Sequence, residues 1–90
     1  MQMAKKFNDT FFNADTNRAI GEGYTLKGDY TKALEIYQMA LKLNQDNNEL
    51  VGVSECYIGI GLVYFKEKNF SKAIENTNKG LAIAKEIEQL

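Results

Sequence analysis

IGEGYTLKGDYTKALEIYQMAL, residues 20–41, and IGLVYFKEKNFSKAIENTNKGL, residues 60–81, are one pattern written twice. At an offset of 40 and without a gap, Ile20 falls on Ile60, Gly21 on Gly61, Tyr24 on Tyr64, Lys32 on Lys72, Ala33 on Ala73, Glu35 on Glu75 and Leu41 on Leu81. Asp29 with Asn69, Tyr30 with Phe70, Thr31 with Ser71 and Leu34 with Ile74 are conservative pairs in the same register. Two unrelated amphipathic helices share apolar spacing, but they do not share Gly and Ala in register, so the match reads as an internal repeat. An offset of 80 places Ala4-Lys5 on Ala84-Lys85 and Phe7 on Ile87. The phase therefore predicts the end of a preceding repeat helix over 1–8, a first repeat over 9–47 and a second over 48–90, in an array that continues beyond both ends.

Within each unit the apolar residues recur at helical spacing. The first helical stretch carries Phe11, Phe12, Ala19, Ile20, Gly23 and Tyr24, and the second carries Tyr30, Ala33, Leu34, Tyr37, Ala40, Leu41 and Leu43. The third, from about Glu49 to Glu67, is the most apolar; the fourth runs from Phe70 to about Glu88. Gly28 suits the left-handed residue that ends a helix, and Asp29 or Thr31 can cap the next one. Lys68 stands where Gly28 would recur, which predicts a differently closed turn with Asn69 in the left-handed site. The small residues predict close helix crossings, with Gly21 facing Ala33 and Gly61 facing Ala73. The expected fold is all-α: antiparallel helix hairpins in an α-solenoid, about two repeats and four main helices.

Composition narrows the function. The chain has no His, Trp or Pro and a single Cys. A Ser-His-Asp triad, a Cys-His pair, a His/Cys zinc site and a disulfide framework cannot be built from it. A net charge of -1 offers no general attraction to nucleic acid or anionic lipid. No apolar run reaches the roughly 18 residues of a membrane span. Cys56 on an apolar helix reads as core, because no His can activate it. Glu22 and Glu55 read as surface charge. Gly21-Glu22-Gly23 follows no strand and lies inside a helix, so it is no phosphate loop, and Lys5-Lys6 is too short for a basic patch. Neither a metal nor a cofactor is expected.

With Ile20-Gly21, Tyr24, Gly28-Asp29-Tyr30, Ala33, Tyr37 and Ala40 in the first unit, and Ile60-Gly61, Tyr64, Phe70 and Ala73 in the second, the chain resembles the tetratricopeptide repeat family. It departs at Thr77 and Gly80, which replace an aromatic and a second Ala, at Asn17, where an aromatic is frequent, and at Gln45 and Lys85, where Pro is frequent. The 40-residue period resembles the longer-helix subclass common in signalling adaptors and bacterial sensory proteins. The resemblance implies a non-catalytic protein–protein interaction scaffold, cut from a larger signalling or regulatory protein such as part of a two-component system. A self-association module is the alternative, and a helical-repeat RNA-binding module is the alternative of another class, which the acidic balance disfavours. A cytoplasmic location is the default, and an extracytoplasmic one follows if the segment belongs to a sensor.

The resemblance also implies that the first helix of each repeat lines a concave partner-binding face. Its residues would be Asp15, Arg18, Glu22, Thr25 and Leu26, then Glu55, Ile58, Leu62, Phe65 and Lys66. The family's carboxylate clamp of Lys, Arg and Asn is not matched, since Arg18 is opposed by Asp15 and Glu22. Ile58, Leu62 and Phe65 sit at i, i+4 and i+7 and form one apolar stripe, while Ile60, Gly61 and Tyr64 supply the packing side of the same helix. A helix apolar on two sides is buried on both or offers a binding surface. A second stripe, Leu81, Ala84 and Ile87, faces where a further helix would dock. Two repeats fall below the roughly three an array needs, so a homodimer or an exchanged terminal helix is expected. The expected partners are thus a protein or peptide and a second copy, with neither nucleic acid nor membrane insertion.

Overall fold

The computed structural model describes residues 14–90, so the expected helix end over 1–8, Lys5-Lys6, and Phe11 and Phe12 lie outside the described residues. Four helices follow one another: α1 Ala14–Lys27, α2 Tyr30–Asp46, α3 Leu50–Lys66 and α4 Phe70–Glu88. They pack as sequential hairpins, α1 on α2 and α3 on α4, and α3 also lies against both helices of the first hairpin. That double contact is the physical reason α3 is the most apolar stretch. Val53, Cys56, Ile60, Gly61 and Val63 are buried on it, whereas α4, packed on α3 alone, buries only Ala73 and Gly80.

The three connections are copies of one turn. The N–H of Asp29 donates to Tyr24 O, that of Glu49 to Asn44 O and that of Asn69 to Tyr64 O, each at 2.9 Å. Each is the six-to-one bond that closes a helix through a left-handed residue. That residue is Gly28 (φ 86°), Asn48 (φ 57°) or Lys68 (φ 66°). The expectation that Asn69 takes the left-handed site in the last turn is therefore corrected. Asn69 has φ -92° and caps α4, its side chain accepting from the Lys72 N–H at 3.4 Å, as Asp29 caps α2 by accepting from the Lys32 N–H at 3.3 Å. Lys68 holds the left-handed conformation itself, at a cost of about 1–2 kcal/mol for a residue with a Cβ. The six-to-one bond and the Asn69 cap hold it there.

The central core joins the two repeats. Ala33 and Tyr37 from α2 meet Ile60 and Val63 from α3, flanked by Tyr24, Tyr30, Leu34, Leu41 and Tyr64. Close approach makes this possible. A Cβ on Gly59 would stand 2.6 Å from the Tyr37 ring, and one on Gly52 would overlap the Asn44 side chain. Inside the second hairpin Gly61 meets the Ala73 carbonyl as expected and Thr77 beside it, and in the first the atoms nearest Gly21 belong to the Tyr37 ring. The 40-residue offset relates the Tyr37 and Thr77 contacts. Ser54 ties the second hairpin by donating its hydroxyl to Gly80 O at 2.8 Å. No helix among the described residues is long and apolar enough to cross a membrane.

Candidate functional site

The residues expected on the concave face divide into four groups. In the first, Arg18 of α1 reaches across to α3, with Nε 3.3 Å from Glu55 Oε1. The Nε itself is buried and makes no hydrogen bond, while the two side chains are 34 % and 47 % exposed, so the contact is an ion pair that solvent screens in part. Asp15 and Glu55 line a polar cleft of about 400 Å³ together with Asn44, Asn47, Glu49, Val51 and Gly52. Glu22, Leu26 and Lys66 are exposed. Among the described residues no cluster of His, Cys, Asp or Glu could hold a metal ion.

Thr25 does not belong to the exposed face. It is 3 % exposed, and its hydroxyl donates to Gly21 O at 2.8 Å. The family register places it on the inner side, but the wide aromatic Tyr37 packs beside it and closes it off. Tyr37 in turn has its phenol pushed above the ordinary range by burial, then by the negative charge of Glu22, with a Thr25 hydrogen bond acting the other way.

Ile58, Leu62 and Phe65 come together as expected and are 39 %, 45 % and 57 % exposed. With Gly61 they form one wall of an open, mainly apolar groove of about 410 Å³. The other wall, which the sequence reading missed, comes from α4: Ala73, Ile74, Thr77 and Asn78. Thr77 was the available signal. It replaces the aromatic present at Tyr37, and a small side chain there leaves the space between α3 and α4 open. Phe70 extends the apolar end of the groove, edge-on to Phe65 with ring centroids 5.6 Å apart. Of the second expected stripe, Leu81 is exposed while Ala84 and Ile87 are half-buried.

Cys56 lies fully buried, accepting from the Asn44 amide at 3.6 Å. Burial pushes its thiol up from the ordinary value, which makes it a poor nucleophile. The described residues thus present an exposed apolar groove, and apart from it an ion pair beside a polar cleft.

A comparison with known proteins bears on this reading. The tetratricopeptide repeat family matches residues 12–86. No solved structure matches the chain.

Proposed function

The chain belongs to the tetratricopeptide repeat family, and from that premise we propose that it captures a partner protein at the α3/α4 groove, with Ile58, Leu62 and Phe65 as the anchor and the α1/α3 side as its border. Modules of this family generally serve as protein–protein interaction scaffolds and are typically non-catalytic. The observation that carries the proposal is the exposure of three large apolar side chains on one face of α3. Leaving them in water forgoes roughly 25 cal/mol for each Å² of apolar surface, and a partner recovers it. Arg18, Glu55, Asp15, Glu22, Leu26 and Lys66 would form the rim, where polar contacts set register more than affinity. The wider context we propose is the repeat region of a larger regulatory protein, supported by the likeness of the 40-residue period to that subclass.

Self-association is the second reading, favoured by Leu81, exposed on α4, with Ala84 and Ile87 in line with it. A displayed library of random peptides panned on the immobilised chain tests the first reading. Enrichment of sequences that a Leu62→Glu variant no longer retains supports it. No enrichment, or enrichment indifferent to Leu62→Glu, overturns it.

A further inference from the structure

A net charge of -1 conceals a segregation of charge. The helices run up and down in turn, so the α1–α2 and α3–α4 turns share one edge of the stack. The α2–α3 turn sits at the other, with the start of α1 and the end of α4. The first edge, residues 26–32 and 66–72, holds Lys27, Lys32, Lys66, Lys68 and Lys72 against Asp29 and Glu67. The second, residues 14–17, 44–51 and 84–90, holds Asp15, Asp46, Glu49, Glu86 and Glu88 against Lys85. Helices of 17 residues hold these edges about 25 Å apart. Salt screens charge over about 8 Å at physiological strength, so a ligand at one edge does not feel the other.

The five lysines of the first edge are exposed. The ion pairs among the described residues lie elsewhere, at Arg18–Glu55, Lys42–Asp46 and Lys79–Glu75. Asp29 is engaged in capping α2, and in the second turn Asn69 keeps the cap without the charge. Lys66 stands there for Leu26 and Lys68 for Gly28, with Glu67 for Lys27 running the other way. Lys68 is the telling residue. Its φ of 66° is strained for a residue with a Cβ, and glycine serves the same turn at Gly28. Strain that glycine would remove points to a use for the side chain itself, here a cation at the tip of the turn.

We propose that this lysine edge docks an acidic, extended segment of a partner protein, at a surface separate from the groove. Stacking of further hairpins covers helix faces and leaves turns open, so the surface does not depend on how far the array extends. Two other polyanions fit less well. A single-stranded nucleic acid stacks its bases on free aromatic faces. Tyr24 and Tyr64, which recur at this edge, pack against the core and carry Lys27 and Lys72 Nζ 5.5 Å from their ring centroids, and Phe65 and Phe70 meet each other edge-on. An anionic bilayer is continuous and meets Asp29 and Glu67 together with the lysines. A polypeptide can set its carboxylates at the lysines and uncharged residues at the two acids, and like charges placed apart in this way favour the matched partner.

The probe is a labelled peptide of alternating Glu and Ser, read by fluorescence anisotropy beside a Gly/Ser peptide. Only the Glu/Ser probe is expected to bind, with an affinity that falls steeply between about 50 and 500 mM salt. Lys66→Gln/Lys68→Gly/Lys72→Gln is expected to weaken it about tenfold. Lys42→Gln/Lys79→Gln/Lys85→Gln removes the same charge away from this edge and is expected to change it less than about twofold. Lys68→Gly alone carries the test if the edge triple loses helicity. The turn is relieved by it, so weaker binding there reports a lost cation and not a lost fold. Leu62→Ser, in the groove, should leave the affinity unchanged. Failure of this probe therefore leaves the groove reading standing, and failure of peptide selection on the groove leaves this one. No binding of the Glu/Ser probe, equal losses in the two triples, or a loss in Leu62→Ser overturns the proposal. So does tighter binding of phosphatidylserine vesicles or poly(U) through the same lysines, or a solution mass that rises as salt falls. The edge would then take lipid, RNA or the acidic edge of a second copy.

Discussion

Gly59 of α3 lies directly over the Tyr37 ring of α2, so close that a Cβ would stand 2.6 Å from its Cε1 and Cζ. This contact is where the two repeats become one body. The ring is also met from its own hairpin by Gly21, whose Cβ would stand 3.1 Å away, so it is held between the two hairpins.

Gly59→Ala is accordingly expected to destabilise the chain by about 1–3 kcal/mol, the usual cost of overpacking a rigid neighbour. Gly23 is the internal control. Nothing among the described residues lies within 4 Å of a Cβ built there, so Gly23→Ala should gain about 0.5–1 kcal/mol from helix propensity alone. Urea unfolding followed by circular dichroism measures both, and equal effects would contradict the account.

Lys68 is strained where its counterpart Gly28 is not. Lys68→Gly removes the Cβ at φ 66° and is expected to stabilise by up to about 1 kcal/mol, the relief of the left-handed conformation less the extra chain entropy of glycine. Gly28→Ala should lose a similar amount. Thermal melts of the two variants check the opposite signs.

Much of this fold was legible in the sequence because the repeat shows itself twice. Identities at Gly21/Gly61 and Ala33/Ala73 carried the hairpin, and the apolar run of α3 carried its central position. The misses have physical causes. Propensity disfavours Lys68 at the left-handed site, yet the turn's hydrogen bonds, supplied by backbone and not by side chain, override a single residue's preference. Repeat register puts Thr25 on the open face because register ignores the width of Tyr37. The stripe at Ile58, Leu62 and Phe65 was readable from spacing, but its opposite wall on α4 was not. A groove depends on what is small at Thr77 as much as on what is large around it.

The Arg18–Glu55 pair should contribute little. Both side chains are more than a third open to solvent or close to it, and exposed pairs are worth about 0–1 kcal/mol. A double-mutant cycle with Arg18→Met and Glu55→Gln is expected to give a coupling below about 1 kcal/mol that shrinks in 1 M salt. A larger, salt-insensitive coupling would show that the pair is buried in solution.

Stability should fall in alkali through Tyr37 and Cys56. Both hold their protons more tightly when folded, chiefly because burial disfavours the charged form. Groups raised in this way lend stability that is complete below their unfolded values, 9.0 for the thiol and 10.0 for the phenol. They withdraw it as pH rises through the folded ones. Melting temperature should therefore drop above about pH 9, and less steeply in a Tyr37→Phe variant than in the wild type. Equal slopes in the two proteins would show that Tyr37 plays no part.

The most direct test of the central claim is amide chemical-shift mapping of the chain during titration with a display-selected peptide. The largest shifts are expected to cluster at Ile58, Leu62 and Phe65 and at Ile74 and Thr77 across the groove, with the outer surface of α2 silent. Shifts centred on α2, or spread evenly over all four helices, would contradict it.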